Sequence, residues 1–344
     1  MSHAVLREIA RATQLREGAE GVRRVLRIVH RAGRIDLETL ARRAHLPVPV
    51  VAAVRRELER RQLLRRENGL VLAPRGREFL TEIGIHSRHH FTCPCCQGRK
   101  IIPSARLDAI RQTLSSYARC RPDADVRLDQ SHGTPDTALR RALLIYESDA
   151  MEGREILVLG DDDLVSLALG LLGRTLIGDG TAPVHRVTVI DIDVRLLEFI
   201  GESSAREGLD IECLQHDLRH PLPGSYTETF DTFTTDPPYT AAGFELFVSR
   251  AIQALKPTVG GQGFISYAHK SDEEMLAING LLAAMGLCAR EILPAFNAYE
   301  GAQILAGSSQ MFRVHTGAST RPTWTEERAQ PIYTAVGGSG GRRR

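Results

Sequence analysis

The sequence of 344 residues has no run of eighteen uncharged apolar residues, and its first twenty, MSHAVLREIARATQLREGAE, carry no apolar signal core. The first absence argues against a membrane-spanning helix and the second against export, so a soluble, cytoplasmic protein with no membrane partner is expected. Cysteine is scarce too: six in all, three of them in FTCPCCQGRK, which is no secreted disulfide framework for a chain this long. Cys93 and Cys96 have C-x-x-C spacing, yet a structural zinc site needs about four ligands and no second C-x-x-C occurs. Cys120, His86, His89 or His90 could complete one, or the pair could be redox-active; the plainer reading is a Cys-rich turn between domains, or a disulfide in a hyperthermophile, and no metal is expected in the chemistry. Lysine is missing from residues 1–80, which hold 18 Arg against 9 acids for a net +9, whereas the rest carries 26 bases and 33 acids, net −7. A basic module therefore precedes an acidic one.

What is present suffices for one small and one large core, at 42% apolar content. GVRRVLRIVHRAG, IDLETLARRAHL and VPVVAAVRRELERRQLL repeat apolar residues at helical spacing, and RRENGLVLAPRG predicts a hairpin turning at Asn68 and Gly69. Three helices and a hairpin make a winged helix, expected over residues 1–85. Its third helix could set Arg55, Arg56, Arg60 and Arg61 against phosphates, or the module could serve packing or dimerisation. A Cys-containing linker and helix are expected over 86–125, a Rossmann-like α/β catalytic domain over 126–316 and a flexible tail over 317–344, in which PIYT at 331–334 suggests a lid as the alternative.

The catalytic segment reads as a parallel sheet with helices on both faces: EILVLG, RVTVIDI, IECLQHD, FDTFTTDPP and GQGFISYA, then a terminal pair near 289–294 and 303–314. Ligands of such sheets sit at the strand carboxyl ends. There Asp191 is placed to accept both hydroxyls of a ribose and Asp217 an adenine amine, which together indicate an adenosine. The fourth strand ends in TTDPPYTAAGFE, with Asp236, Pro237 and Tyr239. Asp-Pro-Pro-Tyr belongs to enzymes that alkylate an amino nitrogen: the stiff turn offers oxygens to the amine hydrogens and a ring to the nucleophile.

Class I methyltransferases share this layout, including a Thr-Pro segment before the first strand, which Thr134 and Pro135 resemble. Their first loop is usually glycine-rich and lies near the carboxylate of S-adenosylmethionine. Here it is Gly160 followed by Asp161, Asp162 and Asp163. Two unit charges roughly 4 Å apart interact by about 1 kcal/mol in water and about 4 kcal/mol at an effective dielectric near 20. Three carboxylates would therefore disfavour that cosubstrate and favour its decarboxylated form, which carries a sulfonium and a free ammonium. The group transferred would then be aminopropyl.

GDDD at 160–163 and DPPYT at 236–240, behind a winged-helix segment and a Cys-containing turn, closely resemble the branched-chain polyamine synthases, the N4-bis(aminopropyl)spermidine synthases of thermophilic bacteria and archaea. DQSHGTPDTALRR and NAYEGAQIL also look like family segments; the CPCC turn is a modest departure. The resemblance implies that the internal secondary amine of spermidine attacks decarboxylated S-adenosylmethionine, releasing 5′-methylthioadenosine, and that a second transfer would give a quaternary ammonium. On this reading Asp162 and Asp163 anchor and orient the polyamine, Asp236 takes or steers the proton, Pro237 contacts the substrate, and Tyr239 shields the nitrogen. Gly160, Asp161, Asp191 and Asp217 hold the cosubstrate, with Gln130, His132 and Thr134 at its propyl end. A homodimer through the N-terminal module is expected, and nucleic acid is not expected as a partner. An amino-group methyltransferase acting on nucleic acid or protein, and a DNA-binding regulator with an inactive catalytic half, are the competing readings.

Overall fold

The computed structural model describes residues 2–44, 46–83, 85, 107–148, 150–151, 154–177, 186–300, 307–325 and 332–334. The chain divides into two compact units, Met1–Pro94 with His269–Met275 and Gly301–Ser308, and the remainder. No described helix is long and apolar enough to cross a membrane. The CPCC turn and the His86, His89 and His90 candidates lie outside the described residues.

The first unit contains α1 (Ser2–Ala12), α2 (Gly18–Ala32), α3 (Leu37–Ala44), α4 (Val48–Arg60), the strands β1 (Leu64–Arg66) and β2 (Leu70–Leu72), and α5 (Pro74–Glu82). In α2 the residues Val22, Val25, Leu26 and Val29 share one face and are all buried. Gly33, at φ 73°, ends that helix with its N–H on Val29 O. The hairpin pairs Leu64 with Leu72, turns through Asn68 at φ 48°, and is joined by a bridge from Ile35 to Leu70. Five helices stand where three were expected: α1 and α5 are additions. Of the four arginines expected to face phosphates, Arg55 is buried and Arg60 and Arg61 pair with Glu57, whereas Arg56 is exposed.

The second unit begins with α6 (Asp108–Ala118) and α7 (Pro135–Glu147), then alternates β3 (Glu155–Leu159), α8 (Val165–Ile177), β4 (Arg186–Asp191), α9 (Val194–Glu207), β5 (Ile211–Gln215), β6 (Thr232–Thr235), α10 (Ala241–Ala254) and β7 (Gln262–Ala268). After α11 (Asp272–Ala284) come β8 (Leu287–Ala298) and β9 (Ser308–Thr316). The sheet order is β5-β4-β3-β6-β7-β9-β8. β3 pairs in parallel with β4 and β6, β4 with β5 and β6 with β7, whereas β9 is antiparallel to β7. This is an α/β fold with a mostly parallel sheet, and its order reverses direction on either side of β3, where such sheets open a crevice. The inner strands are apolar because helices cover both faces: Ile156, Leu157, Val158 and Leu159 of β3 are all buried.

Two segments depart from expectation. Residues 317–325 fall in the stretch expected to be flexible, yet Thr323 Oγ1 donates to Glu245 Oε1, and the Thr323 and Trp324 N–H groups donate to Ser249 Oγ. Farther on, the side chain of Ile332 is buried and its carbonyl accepts from Thr240 Oγ1 at 2.7 Å.

Candidate active site

A cleft opens at the carboxyl ends of the parallel strands. Gly160, Asp162, Asp191, Asp217, Asp236 and Gln130 line it, each from a loop or strand end identified in the sequence. Asp129 lines it as well, and Ile190, Ile192, Leu218, Phe247 and Pro238 give it an apolar wall. From the tail, Ile332 and Tyr333 complete the lining, and Thr334 ties the tail down with its N–H and Oγ1 on the carboxylate of Asp129.

The loop after β3 explains why three consecutive aspartates act differently. Gly160 at φ 71° and Leu164 at φ 61° bracket them in left-handed backbone, which is strained at leucine. Asp161 turns back to start α8: its Oδ1 accepts from Val165 N at 2.6 Å and its Oδ2 from Ser166 N at 3.1 Å. Helix N-termini attract such carboxylates. Asp161 was expected to support the cosubstrate; its carboxyl is instead engaged as a helix cap. Asp163 turns inward, accepting from Gly133 N and forming an ion pair with Arg141 at 2.6 Å. Gly133 is required there, since a Cβ at that position would come within 2.7 Å of the Asp163 carboxylate. Asp162 alone reaches the cleft, with its Oδ2 accepting from Ser131 N at 2.9 Å.

Behind the cleft lies a buried polar cluster centred on Arg141 of α7. Its Nε donates to Asn297 Oδ1 at 2.8 Å, and its Nη2 donates to Asp236 Oδ2 at 2.8 Å and to Tyr299 OH at 3.0 Å. Asp236 also accepts from Tyr299 OH at 2.6 Å and from Tyr239 OH at 2.8 Å. The Tyr239 ring stands edge-on to Tyr267, with centroids 5.4 Å apart. Asn297 and Tyr299, at the end of β8, contact Ser309 at the start of β9, so those strands run in opposite senses. Because β9 is itself reversed, β8 delivers Asn297 and Tyr299 to the same edge as Asp236.

Burial dominates the electrostatics. It holds the Asp162 carboxyl well above the usual carboxylate range, and the neighbouring charges of Asp163, Asp236 and Asp191 add to the effect. Burial pushes Asp161 up to about 7 despite its N–H partners, and it raises Asp191. Asp236 is raised by burial, against the opposing charge of Arg141. Tyr239 and Tyr299 are driven well above the ordinary phenol value by burial and then by Asp236, so both stay neutral donors. Asp217 goes the other way, lowered by the Arg219 guanidinium that grips it.

Gln130 lies at the rim, its Nε2 donating to Asp193 Oδ2 at 3.1 Å, and Asp191 accepts from the Asp161 and Asp193 N–H groups. Thr134 was expected to line the propyl end, but its Oγ1 accepts from Thr137 N and caps α7. Burial and the Arg121 charge lower His132 to about 4. Pro237 is buried, and its neighbour Pro238 is the proline on the cleft. The arrangement offers a sulfonium or an ammonium several oxygens and offers an incoming carboxylate none of the matching positive charge. Among the described residues no cluster could hold a metal ion.

The C-terminal domain of branched-chain polyamine synthase A matches residues 109–336 of the chain. The N(4)-bis(aminopropyl)spermidine synthase of Thermus thermophilus is 33% identical over 298 residues, 86% of this chain and 81% of that protein. That of Thermococcus kodakarensis is 35% identical over 260 residues, covering 74% and 70%. The crystal structure of the branched-chain polyamine synthase from Thermus thermophilus, in complex with N4-aminopropylspermidine and 5′-methylthioadenosine, superposes with a TM-score of 0.75 at 28% identity, covering 96% of each chain.

Proposed function

The chain belongs to the branched-chain polyamine synthase family, and we propose, from that membership and the acid-lined cleft, how it works. It is an aminopropyltransferase, moving aminopropyl groups from decarboxylated S-adenosylmethionine to the internal N4 amine of spermidine. The products are N4-aminopropylspermidine, N4-bis(aminopropyl)spermidine and 5′-methylthioadenosine. The observation that carries the reading is the set Asp162, Asp191, Asp217 and Asp236 around one cleft, hung from the ends of four neighbouring parallel strands.

On the donor side, Asp191 takes the ribose hydroxyls, Asp217 and the apolar wall take the adenine, and Gly160 lets the backbone approach. Gln130 supports the rim beside Asp191. On the acceptor side, the amine lone pair attacks the methylene bonded to sulfur, and the carbon–sulfur bond breaks with its electron pair passing to sulfur. The nitrogen must shed a proton for each attack, and Asp162 receives it. Asp236, expected for that role, is already held by Arg141, Tyr239 and Tyr299, so it acts as a fixed anchor for the polyamine. Tyr239 closes the nitrogen off from water. In the empty cleft Asp162 holds a proton; the flanking ammoniums of a bound polyamine draw its pKa down, so the base is freed when the acceptor arrives.

The N-terminal unit is read as a winged helix, supported by its hairpin and the Ile35 bridge, and as the surface on which two chains pair. Purified protein should release 5′-methylthioadenosine from decarboxylated S-adenosylmethionine and add aminopropyl masses to spermidine. Methylation of spermidine, nucleic acid or protein from S-adenosylmethionine without aminopropyl transfer would overturn the reading.

A further inference from the structure

Arg141 touches neither the apolar wall nor the rim of the cleft, yet its guanidinium ties together pieces of the site that lie far apart in the chain. It is 2% exposed. From α7 it reaches Asp163 in the loop after β3, Asp236 in the loop after β6, and Asn297 and Tyr299 at the end of β8. A buried cation without a counter-charge is costly, and two buried carboxylates without a cation are more so, which makes the pairing obligatory in both directions.

We propose that Arg141 is the positioning residue that selects which carboxyl receives the acceptor's proton. The inference rests on the aminopropyl-transfer reading given above. Three acids, Asp162, Asp163 and Asp236, crowd one spot, and the Arg141 guanidinium serves two of them. Arg141 pairs with Asp163 and Asp236 and turns both toward itself, and the two tyrosine hydroxyls and Gly133 N occupy further lone pairs of those acids. Asp162 receives no hydrogen bond from that guanidinium; its Oδ2 takes Ser131 N, and the residue itself lines the cleft. The groups facing Asp162 are accordingly Asp163 within its own loop, Asp191 from β4, Asp236 from the β6 end, and Arg121, whose Nη1 donates to the Asp162 carbonyl. The proton that leaves nitrogen to free its lone pair before each attack thus passes to the Asp162 carboxylate, and the electron pair of the broken carbon–sulfur bond stays on sulfur.

Removing the Arg141 charge leaves Asp163 and Asp236 to repel Asp162 without opposition. The carboxyl then holds its proton to higher pH, so the rising limb of kcat against pH moves upward. For Arg141→Met the expected result is a displacement of at least about one pH unit together with a loss of about 100-fold in kcat near neutrality, while the KM for the nucleoside donor stays within about threefold. Arg141→Lys, which restores the charge without the planar fork, should return the limb toward its wild-type position while recovering only part of kcat. Where Arg141→Met fails to fold, Arg141→Gln, which removes the charge but keeps a hydrogen-bond donor toward Asp236, is measured instead and should show the same displacement. A folded variant that lacks the Arg141 charge, Arg141→Met or Arg141→Gln, with a rising limb that coincides with that of the wild type overturns the proposal, whatever its kcat. Wild-type protein that releases no 5′-methylthioadenosine from spermidine and the decarboxylated donor overturns the underlying reading instead, so the two failures are told apart.

Discussion

Asp162 and Asp217 line one cleft but stand in opposite electrostatic settings, and they should fail in opposite ways. Asp162→Asn removes the proton acceptor and should lower kcat by about 100-fold or more with little change in donor KM. Asp217→Asn removes a ligand of the donor's base and should raise donor KM by about tenfold with kcat nearly intact. Steady-state release of 5′-methylthioadenosine separates the two, and a kcat left within threefold by Asp162→Asn would remove it from the chemistry. Which of these residues line the cleft was partly readable in advance, because an acid at the end of a parallel strand has one direction to face. The division among Asp161, Asp162 and Asp163 was not, since it depends on the left-handed backbone of Gly160 and Leu164. Arg141 was invisible for another reason: it sits in DQSHGTPDTALRR beside Arg140, and nothing in composition separates a buried arginine from a solvated one.

Helix α8 starts on a carboxyl whose burial makes it an unusual cap. Asp161 has its folded pKa raised from 3.8 to about 7, so the folded state binds more protons than the unfolded one within that window. Stability contributed by this group is complete below about pH 4 and declines as pH rises through 7, the reverse of an ordinary salt-bridged aspartate. Asp162, Asp191 and Asp236 are raised as well and act in the same direction. The ligand-free protein should therefore melt at lower temperature at pH 7.5 than at pH 5 within the range where it stays soluble, and Asp161→Asn should flatten that dependence; calorimetry across pH reads both. A melting temperature that climbs over the same interval would contradict the assignment. At this scale the main strands were legible from their apolar runs, and helices on both faces from the parallel pattern that those runs imply. Helix α1 went unread although Val5, Leu6 and Ile9 have helical spacing, and α5 was hidden because Pro74 reads as the end of the hairpin when it is in fact the first residue of a helix. The convergence of Asn297 and Tyr299 on Asp236 follows from the reversed β9, which no local pattern encodes.

Across the whole chain, the separation of +9 in residues 1–80 from −7 in the rest gives the catalytic segment a field that draws polycations. Raising sodium chloride from about 50 mM to about 500 mM shortens the Debye length from roughly 14 Å to roughly 4 Å. It should raise the KM for spermidine several-fold while leaving kcat nearly constant; a salt-independent KM would mean that the acids act only in direct contact. One further feature bears on how the molecule is made. Asp129 and Thr334 are joined by hydrogen bonds although 205 positions separate them, so one wall of the cleft is translated long before the segment that meets it. A chain whose sheet has formed before that segment docks presents an unfinished basin with no Tyr333 at its edge, so competence to grip a nucleoside waits on the last piece to be placed.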